Sequence, residues 1–204
     1  MIKGRFVSRA GEKLDAAVEA FGVDVSGCVC ADFGCNVGGF SDCLLKRGAA
    51  RVYAIDTGYG ELAWTLRKDP RVVVMERTNA LYCPASEPVD MVVIDVAWTP
   101  QSVAVPAAVK WLKARDASAG PLVGVVRKPI VISLLKPHYE LAKLSGRRPH
   151  EAISIERSRQ ICLQVCDQLG QLGARVLAVM QSVLIGKGGN AEFLLLLELA
   201  DDPA

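Results

Sequence analysis

The sequence has almost no excess of charge of either sign. Its 24 lysines and arginines stand against 22 aspartates and glutamates, a formal net charge of +2 in 204 residues. That excludes a protein that holds nucleic acid by bulk charge alone, so contact with a polyanion has to be local. Long apolar runs are missing as well: residues 193–197 form a short one, and residues 122–135 are interrupted by Arg127, Lys128 and Pro129. Neither reaches the roughly 18 to 20 residues that a bilayer needs. The opening Met1-Ile2-Lys3-Gly4-Arg5 has none of the regions of a secretory signal. The expectation is a soluble, cytoplasmic protein with no membrane partner. Histidine is scarce, with only His138 and His150, and the pairs Cys28/Cys30 and Cys162/Cys166 have no second pair beside them, so no metal site is expected. With Cys35, Cys43 and Cys83 the cysteines number seven; an odd set inside apolar stretches reads as reduced, buried thiols.

What is present is apolar mass, 51% hydrophobic against 23% charged residues, enough for a packed domain and too much for a disordered chain. Residues 11–21 have helical period, with Leu14, Val18 and Phe21 on one face. Short apolar strands at 29–33, 51–55, 72–75 and 91–94 then alternate with helices at 41–47, 62–68 and 103–113, the pattern of a parallel sheet wound with helices. Residues 121–135 hold one or two more strands, Lys136-Pro137 ends that run, and 144–149 read as a polar loop. A long helix at 154–172 carries the stripe Ile161, Val165, Leu169 and Leu172. Residues 175–184 and 191–199, joined by a Gly-rich turn, read as an antiparallel pair. The predicted fold is α/β: a doubly wound, mostly parallel, seven-stranded sheet with an antiparallel C-terminal pair. Residues 1–25 are a helical extension and 26–204 the main domain.

Ligands of such sheets sit beyond the carboxyl ends of the strands, near the first strand and its turn. That turn is Asp32 to Phe40, with Gly34, Gly38 and Gly39 spaced Gly-x-x-x-Gly-Gly, which is not the Gly-x-Gly-x-x-Gly fingerprint for a dinucleotide pyrophosphate. S-adenosylmethionine, a cofactor without phosphate, fits better, with a nucleotide-phosphate site as the alternative. Asp56 ends the second strand, where a carboxylate can accept both ribose hydroxyls. Asp32 would favour the cofactor's ammonium, and Asn79 its adenine. Cys35, Asn36, Phe40, Thr57 and Asp95 complete the expected cofactor site. A single strand-end Asp or Gly is ordinary turn chemistry; four in phase with successive strands are less easily dismissed.

Several stretches are similar to one family. Phe6-Val7-Ser8-Arg9-Ala10-Gly11-Glu12-Lys13-Leu14, the turn from Asp32 to Leu44, Asp56-Thr57-Gly58-Tyr59-Gly60-Glu61-Leu62, Glu76-Arg77-Thr78-Asn79, Val93-Ile94-Asp95 and Asn190-Ala191-Glu192-Phe193 resemble the catalytic domain of the haemolysin A (TlyA) family of FtsJ-like RNA ribose 2′-O-methyltransferases. The resemblance implies a Rossmann-like methyltransferase fold, S-adenosylmethionine as cofactor, and a Lys-Asp-Lys-Glu tetrad. That tetrad falls on Lys13, Asp95, Lys136 and Glu192. Lys136 precedes Pro137, Tyr139 and Glu140 in a Lys-Pro-x-aromatic-Glu element; Lys128, also before a proline, is its rival. In the implied mechanism Lys136 takes the proton of a ribose hydroxyl or steadies the alkoxide. Asp95 holds Lys136, while Glu192 and Lys13 orient each other and the ribose.

The implied partner is RNA, ribosomal RNA or ribosomal subunits, with Arg5, Arg9, Arg147 and Arg148 as phosphate contacts. Family members begin with a separate RNA-binding domain of about sixty residues; this chain starts just before the catalytic part, which leaves room for a protein partner that directs it. Two readings stand beside this one: a methyltransferase acting on a small molecule or protein, and a cofactor- or RNA-binding protein with a disabled centre. The family's name suggests membrane lysis, for which the composition offers no spanning segment.

Overall fold

The computed structural model describes residues 4–112, 128–145, 152–186 and 188–199. Seven strands form one sheet: β1 (Val29–Phe33), β2 (Arg51–Ile55), β3 (Val72–Met75), β4 (Met91–Ile94), β5 (Ile130–Leu135), β6 (Ala174–Gln181) and β7 (Phe193–Leu199), in the order β3-β2-β1-β4-β5-β7-β6. The first five run parallel, and β7 lies antiparallel between β5 and β6. The helices are α1 (Ala10–Ala20), α2 (Gly39–Lys46), α3 (Trp64–Arg67), α4 (Gln101–Val109), α5 (Pro137–Ser145) and α6 (Ile155–Gln171). The predicted α/β sheet, its strand count and its antiparallel C-terminal pair are all found.

Both faces of the sheet are covered, as parallel strands require. Alternate residues of each strand feed different cores. Phe33, Ile55, Ile94 and Leu135 pack with Trp111 of the α4 side and with Ile161, Val165 and Leu169 of α6. Val52, Val93, Ile132 and Leu134 pack instead with Leu14 and Val18 of α1 and with Phe40 and Leu44 of α2. Leu14 and Leu44 are fully buried, so the apolar stripe of α1 holds it on the sheet layer, and Arg47 at the end of α2 bonds to Asp15 of α1.

Three expectations change. Lys136-Pro137 does not terminate structure, because Pro137 opens α5; proline is suited to a first helical turn, where its missing N–H would have no partner anyway. In α6 the stripe is Ser158, Ile161, Val165 and Leu169, capped by Ser154 accepting from the Arg157 N–H at 3.1 Å, while Leu172 is exposed beyond the helix end. The helix read at 62–68 shrinks to the single turn of α3. The stretch before Lys128, with Arg127, lies outside the described residues.

Candidate active site

The strand order reverses beside β1, which has β2 on one side and β4 on the other. Helix connections leave that point in opposite directions and open a crevice at the strands' carboxyl ends. A cavity of about 700 Å³ fills it. Asp32, Asp56, Asp95 and Lys136, at or just past the ends of β1, β2, β4 and β5, all line it. Glu192 joins them because β7 is antiparallel and therefore begins where its parallel neighbours end, with Leu135 opposite Phe193. Lys13 arrives from α1 on the same side.

These side chains form two ion pairs. The Lys136 ammonium contacts the Asp95 carboxylate, and its Nζ also donates to the Val96 carbonyl at 3.4 Å. Lys13 donates to Glu192 in a pair that is more than nine-tenths buried on both sides. Removing one partner of such a pair strands a charge in a poorly solvated place, so each member depends on the other's presence. Lys128 is elsewhere: it precedes β5, at the opposite edge of the sheet, and lies 3.8 Å from Glu198, which also pairs with Arg175. The rivalry between the two lysines is thus one of sheet ends, and Lys136 is the one that lines the cavity.

At the other end of the cavity Asp32 is fully buried. Its Oδ2 accepts from the Ser41 N–H at 2.9 Å and the Ser41 hydroxyl at 2.7 Å, whereas Oδ1 has no partner among the described residues. Burial is the main reason its pKa rises from 3.8 to about 7, opposed by the Ser41 bonds and helped by the charge of Asp95. A buried carboxylate oxygen without a donor is a vacancy suited to a cationic group. The glycines beside it shape the floor. A Cβ on Gly34, whose φ is +83°, would lie 2.8 Å from the Asp95 carbonyl oxygen, and one on Gly39 would lie 2.2 Å from Ser8 Oγ. Gly34→Ala is therefore expected to destabilise the fold by about 1–3 kcal/mol, read as a lower denaturant midpoint at unchanged m-value.

Asp56 spends one oxygen on the Asn36 N–H (2.9 Å) and the other on the Gly58 N–H (2.7 Å), which fixes the carboxylate at the cavity wall. Cys35, Asn36, Phe40, Thr57 and Asn79 line the cavity too. The Asn79 side-chain oxygen accepts from the Leu81 N–H at 3.0 Å, so it closes its own turn. Gly38 does not line the cavity; its missing Cβ makes room for Leu66 and Leu62. Arg9 lines the wall and donates to the Ile185 carbonyl at 3.1 Å. Arg5 stays away, paired with Asp15 of α1, and Arg147 and Arg148 lie outside the described residues, as does His150.

Reading the sequence missed the aromatic side of the mouth. Trp98, with φ at +61°, stacks on Tyr139 at 4.1 Å between centroids, and His138 packs on the same tyrosine at 4.2 Å. Burial and the neighbouring Lys136 charge lower the His138 pKa, favouring the neutral imidazole. The signal for Tyr139 was its place in the Lys-Pro-x-aromatic-Glu element; nothing in the strand pattern singled out Trp98.

Residues 6–199 match the FtsJ-like methyltransferase family. The chain belongs to that family. This FtsJ-like chain is a methyltransferase, and the family's cofactor is S-adenosylmethionine. The residues fit that cofactor, since the unpartnered Asp32 oxygen suits its amino-acid ammonium and the Gly34 and Gly39 floor admits close backbone approach. The chain is 40% identical to a Mycobacterium tuberculosis protein named 16S/23S rRNA (cytidine-2′-O)-methyltransferase TlyA, over 98% of this chain and 70% of that one. A solved structure of a hemolysin-named protein from Lactococcus lactis superposes with a TM-score of 0.81 at 31% identity, covering 98% of this chain and 90% of its own. A hemolysin-named structure from Streptococcus thermophilus gives 0.77 at 31% identity, with 98% and 70% covered. No helix among the described residues is long and apolar enough to cross a membrane.

Proposed function

We propose that this FtsJ-like chain methylates ribose 2′-hydroxyls of ribosomal RNA. The observation that carries the reading is the pairing of Lys136 with Asp95 and of Lys13 with Glu192 around one cavity whose far end holds the unpartnered Asp32. The M. tuberculosis relative and a Campylobacter jejuni protein, 26% identical over 92% of this chain, carry rRNA cytidine-2′-O-methyltransferase names, and cytidine is the nucleotide proposed here.

S-adenosylmethionine, when bound, would supply a sulfonium methyl group, which an oxygen nucleophile takes as the carbon–sulfur bond breaks and a neutral thioether leaves. The chain's own residues prepare that oxygen. Asp95 and the Val96 carbonyl aim the Lys136 Nζ into the cavity, where the ammonium steadies the developing alkoxide, or the amine, after giving its own proton to solvent, takes the hydroxyl proton. Lys13 and Glu192, fixed by each other, orient the ribose. Alignment supplies most of the acceleration, because an in-line displacement is sensitive to position. Trp98 and Tyr139 offer a face on which an unstacked base can rest, as single-stranded RNA recognition commonly needs. Arg9 is placed to meet a phosphate.

The test is transfer of labelled methyl from S-adenosylmethionine to ribosomal subunits and to stripped ribosomal RNA, followed by digestion to nucleosides. Label retained on ribose of cytidine is the expected result. Label on a base, or transfer only to protein or to small molecules, would overturn the proposal.

A further inference from the structure

The proposed chemistry depends on two loops that come from different strands. One follows β4 and carries Asp95, Val96 and Trp98; the other follows β5 and carries Lys136 and, on the first turn of α5, His138 and Tyr139. They meet through the Lys136 bonds to Asp95 and Val96 and through the Trp98–Tyr139 stack. One ion pair and one aromatic contact, the latter worth about 1 kcal/mol, do not by themselves hold two segments in one arrangement.

A buried polar knot lies directly behind them. Gln101, the first residue of α4, is 3% exposed. Its side-chain oxygen accepts from Ser133 Oγ at 2.5 Å, and its side-chain nitrogen donates to the Leu134 carbonyl at 3.4 Å. Its backbone N–H donates to Glu140 Oε1 at 2.8 Å. Glu140, on α5, is 8% exposed and has no cation beside it among the described contacts; burial raises its pKa. Ser133 and Leu134 come just before Lys136 in the chain, and Glu140 comes four residues after it. Gln101 comes three residues after Trp98. The knot therefore grips the Lys136 loop on both flanks and ties it to the root of the Trp98 loop.

We propose that Gln101 and Glu140 are positioning residues, which set the Lys136–Asp95 pair and the Trp98–Tyr139 stack through the buried bonds among Gln101, Glu140, Ser133 and Leu134. The proposal rests on the ribose-methylating reading for its kinetic consequence, but not for its structural one. Neither residue lines the cavity; both act through others. A glutamine at 140 keeps an acceptor oxygen in place, whereas a leucine of similar size keeps the packing and removes the acceptor.

The experiment compares Glu140→Gln and Glu140→Leu, first in the Trp64→Phe background. There Trp98 is the exposed tryptophan and Trp111 the buried one, so acrylamide quenching reports the Trp98 stack without any substrate. Glu140→Leu is expected to raise the quenching constant about twofold, and Glu140→Gln to leave it unchanged. On ribosomal RNA, Glu140→Leu is expected to lower kcat tenfold or more with the Kd for S-adenosylmethionine unchanged, and Glu140→Gln to keep kcat within about threefold. Equal quenching in both variants overturns the proposal whether or not the parent methylates RNA. So does a kcat for Glu140→Leu equal to the parent's. Failure of the parent to methylate ribose would instead sink the functional reading, while the quenching result would still decide the knot.

Discussion

Lys136→Ala is expected to abolish nearly all methyl transfer while Lys128→Ala leaves it within about twofold, although both lysines precede a proline at an end of the same strand. The Lys136 Nζ lines the cavity and is fixed by Asp95 and the Val96 carbonyl. Removing it takes away the group that accepts the proton as a neutral amine or steadies the developing alkoxide as an ammonium, and a positioned proton-transfer group contributes about 10²- to 10⁴-fold. The Kd for S-adenosylmethionine should change little, because the expected ammonium partner is Asp32 at the cavity's other end. Lys128 sits beyond the opposite edge of the sheet, 3.8 Å from Glu198 with nearly half of its side chain exposed. Losing it leaves Glu198 its Arg175 partner, and an exposed pair of this kind contributes about 0–1 kcal/mol. Single-turnover methylation, with cofactor binding measured separately, makes the comparison. Retained chemistry in Lys136→Ala, or a large loss in Lys128→Ala, would show that the wrong end of β5 has been assigned.

The sequence could not separate those lysines by composition, since Arg127-Lys128-Pro129 and Leu135-Lys136-Pro137 are both a lysine and proline next to an apolar run. The Lys-Pro-x-aromatic-Glu element favours Lys136 by resemblance; the strand's direction, a property of the assembled sheet, is what puts it at the cavity end. The strand-end acids were legible for the opposite reason. Apolar runs that stop at Asp32, Asp56 and Asp95 mark both the end of a strand and the edge where a ligand sits, so local pattern and site coincide. Lys13 and Glu192 are 179 positions apart, and family resemblance placed them in one tetrad. Their contact depends on β7 inserting between β5 and β6, which no local period encodes. The α5 helix was hidden because Lys136-Pro137 was taken as a stop, although proline fits a helix's first turn as well as it ends a strand. Gln101 was invisible for a simpler reason: a glutamine at a helix start is ordinary until a buried serine and glutamate are found against it.

Asp32→Asn is expected to cost the enzyme its cofactor and at the same time to make the ligand-free protein less sensitive to a rise in pH from about 4 to 7. The two effects share one cause, the carboxylate oxygen that the fold buries without a donor. With a folded pKa of about 7 against 3.8 for the ordinary group, the native protein binds more protons than the unfolded chain between those values. The contribution of Asp32 to stability is therefore full below about pH 4, falls as pH rises, and is lost above about pH 7. The difference corresponds to roughly 4 kcal/mol at most. Asparagine does not ionise, so the variant loses that slope: urea midpoints of the two ligand-free proteins should approach each other near pH 4 and diverge by pH 8, with the variant gaining relative to the parent. Binding moves the other way. Without the charge opposite the cofactor's ammonium, affinity for S-adenosylmethionine should fall about 10²-fold or more at pH 8. In the parent that affinity should strengthen as pH rises through 7 and Asp32 ionises. Parallel urea curves for parent and variant across this range would show that the buried carboxylate carries no such cost. If they converge at low pH and part at high pH while the variant fails to bind, then the acid at the end of β1 is a group whose ionisation destabilises the empty protein and is offset when the cofactor's cation arrives.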